Sequence, residues 1–277
     1  MLREVDWTDP PTRIGHGPVG PARGRAFVGC SGWSYDDWRG PVYSPEMPRR
    51  LWFEAYASMF DTVEFNSTFY RLPTAETARA WGAQAPEGFV YAVKLGQFCS
   101  HRKKLLDAAT WLPNHVDRVE RLVAALGPTL VQLPPRWHRD VDRLEEFLAV
   151  APRSMRWAVE LRDPSWLHDD VFELLHRYDA ALSSTTCWRA TRGCGRPDGR
   201  TSATTGLGLP QSSNGGLHGA RRLAPGAVAM SGWLNHGCDV YAYFNNDYDG
   251  HAVQDARWLA RRLNPDGPSV FGKAENG

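Results

Sequence analysis

The sequence predicts an α/β fold of the TIM (β/α)8 barrel type, and three observations carry that expectation. Six short apolar runs each close on a large polar residue, helical patterns separate most of them, and 277 residues at 42% hydrophobic content suffice for one barrel, which typically takes about 250 residues. The runs are Phe27–Ser31, Thr62–Asn66, Phe89–Lys94, Thr129–Gln132, Trp157–Arg162 and Val240–Asn246. Parallel strands covered on both faces read as continuous apolar runs, and barrels of this type carry function at the C-terminal strand ends. A ring of Glu, Asn, Lys, Gln, Glu, Arg and Asn is costly to bury without partners, so it predicts a pocket there.

Each element has its own signal. Residues 1–25, rich in Pro and Gly, read as a flexible N-terminal arm, and the first strand starts near Ala26. Leu51, Trp52, Ala55, Tyr56 and Met59 recur at helical spacing over 48–60. Glu64 and Asn66 end the second strand, and Thr74 caps a helix carrying Thr77, Ala80 and Trp81. The third strand, Phe89–Lys94, precedes a polar stretch with His101. A helix is expected over about 114–126, with Val116, Val119, Leu122 and Val123 inward. Leu130–Leu133 is the fourth strand, stopped by Pro134 and Pro135. Asp140 caps a helix with Val141, Leu144, Phe147 and Leu148; Arg156–Leu161 is the fifth strand, and Val171, Leu174 and Leu175 mark the next helix. Ala180–Ser183 begins a sixth strand.

The pattern then breaks. From Ser183 to Asp239 there is no Phe, Tyr or Ile, Val228 is the one Val, and Asp198 is the one acid before Asp239. Thr201–Gly206 offers too little apolar volume for a buried strand. Residues 183–238 therefore read as an irregular segment replacing the end of strand 6 through strand 7. Order returns with the strand Val240–Phe244 and the helix 252–263. A single barrel domain over 26–264 and a C-terminal tail over 265–277 complete the expected organisation.

Composition narrows the functional classes. Lys+Arg 32 against Asp+Glu 31 gives a net charge of +1, which argues against a nucleic-acid-coating surface. Five widely spaced cysteines without a CxxC indicate neither a disulfide framework nor a zinc knuckle. No apolar run approaches 18 residues, so no membrane span is expected, and a soluble cytoplasmic protein is the default. Twelve Trp and nine Tyr suit a site lined by amphipathic rings.

The chain resembles the YecE-like proteins, domain-of-unknown-function family 72, which are TIM-barrel proteins. The resemblance rests on Gly29–Tyr35 with Trp38-Arg39-Gly40, on Phe60–Pro73, and on Ala92-Val93-Lys94 followed by His101. It extends to Leu130–Pro135, Val159–Arg162 with Ser165-Trp166, and Tyr243–Asn246 with Gly250-His251-Ala252. It covers about 26–182 and 239–263, and implies a polar cluster at the C-terminal face of a barrel with no established reaction. Where that family has a sixth strand ending in an acid and a seventh reading roughly Tyr-x-Arg-x-His-Gly, this chain has the anomalous stretch. Abrupt loss and recovery of strand chemistry points to translation out of frame over about 183–233; a genuine insertion or loop is the competing account.

Within the ring, Glu64 and Glu160 are candidate acid/base carboxylates, with pairing to Lys94 or Arg162 in a structural ion network as the alternative. Lys94 could act as base or nucleophile and is more commonly a counter-ion. His101 could be a base or an exposed loop histidine. Asn66, Gln132, Asn245 and Asn246 suit the orientation of a polar ligand, against backbone capping. Arg162 could clamp a carboxylate or phosphate. Trp33, Tyr35, Trp38, Phe69, Tyr70 and Trp166 follow strand ends and are expected as pocket wall rather than inner core, whereas Trp52, Trp81 and Trp258 fit barrel-to-helix packing. Cys30 reads as a small buried residue. No ligand spacing assigns a metal, and no motif names a cofactor. The leading expectation is an enzyme, loosely a hydrolase or lyase, acting on a small polar molecule; a metabolite-binding or accessory protein and an inactive damaged copy are the alternatives. Oligomeric state is not legible.

Overall fold

The computed structural model describes residues 23–183, 201–207 and 216–264. Eight strands alternate with helices: β1 (Ala26–Cys30), β2 (Thr62–Phe65), β3 (Val90–Lys94), β4 (Leu126–Gln132), β5 (Trp157–Glu160), β6 (Ala180–Ser183), β7 (Thr201–Leu207) and β8 (Cys238–Phe244). All the ladders are parallel. The helices are α1 (Trp52–Ala57), α2 (Ser67–Tyr70), α3 (Ala75–Gln84), α4 (Ala108–Val119), α5 (Val141–Val150), α6 (Asp169–Arg177), α7 (Gly219–Asn235) and α8 (His251–Leu263).

The strands form two sheets, β1-β8-β7 and β2-β3-β4-β5-β6. Among the described residues no ladder joins β1 to β2 or β6 to β7, so the ring of backbone bonds stays open at two seams. At the first seam a side chain replaces the ladder. The Tyr56 hydroxyl accepts from the Cys30 N–H at 2.8 Å and donates to the Thr62 carbonyl at 2.9 Å. Gly29 is needed there, because a Cβ would lie 2.2 Å from the Thr62 oxygen.

Apolar residues divide by alternation along each strand. Val28, Val63, Val131, Val159 and Leu182 belong to the large core that includes the buried helix faces. Phe27, Ala92, Tyr241 and Tyr243 form an inner cluster, with Phe27 stacked on Tyr241 at 4.7 Å, and Leu130, Ala158 and Ala181 form another. The expected helix caps are present: Thr74 Oγ1 accepts from the Thr77 N–H, and Asp140 Oδ1 from that of Arg143.

Four expectations need correction. The helix expected over 114–126 starts at Ala108 with Pro113 inside it and runs only to Val119, followed by a 3-10 turn. Pro113 lies within the first two turns of that helix, where it leaves a single preceding carbonyl without its intrahelical donor. Val123, expected inward, is 78% exposed and has a positive φ of 52°. Residues 23–25, assigned to the arm, are fixed: the Gly24 N–H donates to the Leu234 carbonyl, and that of Arg25 to Asp239 Oδ1. Lastly, the stretch denied a strand contains β7, paired with β8 from Thr201↔Cys238 to Leu207↔Phe244. It also contains α7, whose buried Leu223, Ala227, Met230 and Leu234 keep helical spacing. The rest of 1–22, 184–200, 208–215 and the tail from 265 lie outside the described residues.

Two stability predictions follow from this packing. Tyr56→Phe removes both bonds across the β1/β2 seam and should cost about 1–3 kcal/mol, read as a lower urea midpoint; an unchanged midpoint would show the seam needs no bridge. His115 is buried against Trp157 with no partner on Nε2 among the described residues, and burial lowers its pKa to about 4. The unfolded chain binds that proton below about 6.5, so stability drains as pH falls from 6.5 towards 4. His115→Phe should flatten that loss, by about 2 kcal/mol at pH 5, in denaturation at pH 7 and pH 5. An equal acid loss in both proteins would assign it elsewhere.

Candidate functional site

Inward-facing positions two residues beyond the inner apolar layer carry the polar groups. Leu130 leads to Gln132, Ala158 to Glu160, Ala181 to Ser183 and Ala92 to Lys94 along their strands. Thr62 bonds inward to the Tyr243 hydroxyl at 2.8 Å, and Glu64 follows two residues later. The β4–β5 and β5–β6 registers set Gln132 beside Glu160 and Glu160 beside Ser183. One layer at the C-terminal strand ends therefore gathers residues from distant parts of the chain.

On one side of this mouth Glu160, only 3% exposed, is held by two donors. Gln132 Nε2 donates to it at 2.8 Å and Arg162 Nε at 2.8 Å. His101 lies on the turn Phe98–Arg102, its Nδ1 3.0 Å from Ser100 Oγ and its ring edge-on to Phe69. Lys94 Nζ sits 5.2 Å from the centre of the Phe69 ring, a cation–π distance. Burial first, then Arg162 and Lys94, hold the His101 pKa below the ordinary histidine value, with Glu160 opposing. His101 thus faces the charged groups of the mouth instead of standing free in its loop.

On the other side Ser31 Oγ donates to Glu64 Oε1 at 3.0 Å, and the Ser31 carbonyl accepts from Asn66 Nδ2 at 3.0 Å and the Tyr35 hydroxyl at 2.5 Å. Burial pushes the Glu64 pKa up; Lys94 opposes this and Glu160 adds to it, so the two glutamates sense each other. Sequence reasoning missed a third carboxylate, one residue past Asn246. Asp247 has its pKa raised to about 7, chiefly by burial, with Tyr35 hydrogen bonding opposing and Asp37 and Glu64 adding. Its backbone carbonyl accepts from Trp38 Nε1 at 2.6 Å, which fixes the loop. Ser31 was also passed over, although it ends the first apolar run as Glu64 ends the second.

Several expected site residues are placed otherwise. Asn246 Nδ2 bonds Asp255 Oδ2 at 2.9 Å and the Gly216 carbonyl at 3.2 Å, while Asp255 accepts from the N–H groups of His218 and Gly219 where α7 begins. Asn246 is therefore committed to anchoring that helix. Trp166 is fully buried and donates to the Trp137 carbonyl, supporting the loop after β5 from below. Trp33 packs on Phe53 and Phe65 in the outer core, and Tyr70 is 78% exposed on α2. Asn245 is exposed at the end of β8. Trp38, expected as pocket wall, is fully buried in the core; Cys30 is buried, in line with its reading as a small buried residue, and burial raises its thiol pKa. Among the described residues no three His, Cys, Asp or Glu converge as a metal-ligand group, and no helix is long and apolar enough to cross a membrane.

These features define an α/β protein of eight parallel strands with its titratable groups gathered at their C-terminal ends. Residues 27–276 match the model of the family described as "Protein of unknown function DUF72", and the chain belongs to that family. The UPF0759 protein YecE of Escherichia coli K12 is 28% identical over 142 residues, 50% of this chain and 49% of the relative. The UPF0759 protein YunF of Bacillus subtilis 168 is 31% identical over 71 residues, 26% of this chain and 24% of that protein. In these matches the chain spans half or less of the length of the curated relatives. A DUF72 family protein from Thermotoga maritima superposes with a TM-score of 0.73 at 22% identity, covering 87% of this chain and 99% of its own. One from Enterococcus faecalis V583 gives 0.68 at 16%, covering 86% and 95%. At these identities the likeness establishes the fold.

A carboxyl that stays protonated towards pH 7 when folded favours the folded state at low pH, and that stability is lost as pH rises through the folded pKa. Asp247→Asn, which cannot ionise, should therefore melt higher than the parent by its largest margin at pH 8, by a smaller margin at pH 5, and close to it only below about pH 4. A constant difference across that range would show that Asp247 titrates normally.

Proposed function

We propose that the mouth of this fold, read as a TIM-type barrel, binds a small polar molecule and performs acid/base chemistry on it. The observation that carries the reading is the convergence of Glu64 and Glu160, buried, mutually repelling and in reach of the fields of Lys94 and Arg162. Environments that push two carboxyl groups apart assign acid and base roles at one pH. Glu160, fixed by Gln132 and Arg162, takes the base role in this reading. Glu64, with its raised pKa, suits the proton donor, and Asp247 backs it as a second holder of a proton near neutrality. Lys94, His101 and Arg162 supply positive or polarisable groups for a developing oxyanion, a carboxylate or a phosphate. Hydrolysis or elimination on a polar substrate matches that set.

A second reading also has a specific observation behind it. Both Glu160 oxygens already have donors, the arrangement expected if the ring only recognises a metabolite. Glu64→Gln separates the two. In assays against chromogenic phosphomonoesters, glycosides and esters, catalysis predicts turnover by the parent that falls at least about 100-fold in the variant. Loss of ligand-induced thermal stabilisation without turnover in either protein would favour binding alone.

A further inference from the structure

β7 lies beside β8 over seven register pairs, and β8 is buried at every position. A strand in that place calls for apolar and aromatic side chains. Thr201-Ser202-Ala203-Thr204-Thr205-Gly206 supplies one alanine and no aromatic residue. Just past β8, Asn246 Oδ1 and Asp247 Oδ1 are buried acceptors with no hydrogen-bond partner among the described residues, whereas buried polar atoms are normally satisfied. The sequence of β7 is thus short of apolar side chains, and the loop after β8 is short of donors among the described residues.

The genetic code links the two shortages. Consider codons made from the third base of one residue and the first two bases of the next. Threonine (ACN) then yields NAC, which is Tyr, His, Asn or Asp. Serine (TCN) yields NTC, always Phe, Leu, Ile or Val. Alanine yields NGC, which is Arg, Gly, Ser or Cys, and glycine yields NGG, which is Gly, Arg or Trp. Read this way, the bases of 201–206 encode long hydrogen-bonding side chains around an obligatory apolar residue; Tyr-Val-Arg-Tyr-His-Gly is one permitted strand. The remaining frame reads CNT, CNG, CNA, CNA and CNG across the first five positions. That restricts it to Leu, Pro, His, Gln and Arg, without a β-branched or aromatic residue, and gives a poor strand.

We infer that the bases encoding 201–206 are read here one register away from the frame in which they specify β7. In that frame the strand brings to the mouth the donors that the Asn246–Asp247 loop lacks. Modulo three, one base is missing between the codons of Ser183 and Thr201, and one is extra before that of Leu223. The return lies before Leu223 because the buried face of α7 at 223, 227, 230 and 234 is correctly spaced as it stands. The out-of-frame stretch is therefore shorter than the break in composition suggests, and the inference is independent of the acid/base reading.

Two measurements decide it. The first is the nucleotide sequence from codon 183 to codon 223. The shifted frame should place a Phe, Leu, Ile or Val codon at Ser202 and at least one Tyr, His or Asn codon at the threonines. A stop codon there, or an AGY serine codon at 202 (which would yield Lys, Gln, Glu or stop), overturns the inference. The second is thermal melting of the full-length chain, as it stands and recoded with one base added upstream and one removed downstream. Filling the strand should raise Tm by about 5 °C; a Tm equal to or below that of the unaltered chain overturns it.

Discussion

The Tyr56 hydroxyl bears on more of this structure than any other single group. β1 and β2 approach so closely at Gly29 that only a glycine fits, yet they share no ladder. One phenol from α1 accepts from the first strand and donates to the second. That contact is what allows Ser31 to reach Glu64 and Asn66 to reach the Ser31 carbonyl. Half of the candidate site is therefore assembled by a helix residue lying outside it. A buried hydroxyl that both donates and accepts costs little, whereas the same two backbone groups left unpaired would be expensive.

Electrostatics in the mouth follow from who has donors. Glu160 is clasped by an amide and a guanidinium, so its charge has company. Glu64 has one hydroxyl and a more distant lysine, and Asp247 has one oxygen without a partner among the described residues. Burial then dominates, and both carboxyls hold their protons more tightly than in water. Glu64 and Asp247 thus owe their raised proton affinities first to burial at the strand ends.

Legibility varied with what each residue type depends on. Strand ends were readable because a large polar group after an apolar run has one sensible place, and Glu64, Lys94, Gln132, Glu160 and Arg162 lie there. Ring residues were less readable. Trp33, Tyr35, Tyr70 and Trp166 all follow strands, yet one packs outward, one reaches the Ser31 carbonyl, one projects from α2 and one is fully buried. Position along the chain does not say which way a ring turns. Asn246 was lost to Asp255, a residue on α8 whose role at the start of α7 no local pattern announces. Asp247 went unnoticed because an acid past a strand end looks like an ordinary surface residue until burial raises its pKa.

The sequence by itself determined the order of elements, the parallel strands buried on both faces and the polar layer at their ends. These depend on hydrophobic period and on the cost of burying charge, which are properties of short stretches. It also marked where strand chemistry fails. Tertiary structure alone decided that a strand nevertheless lies at Thr201–Leu207, that two seams interrupt the ring, and which carboxyls keep their protons. Those outcomes depend on distances between residues far apart in the chain, such as Tyr56 to Cys30 and Glu64 to Glu160. No local pattern contains them.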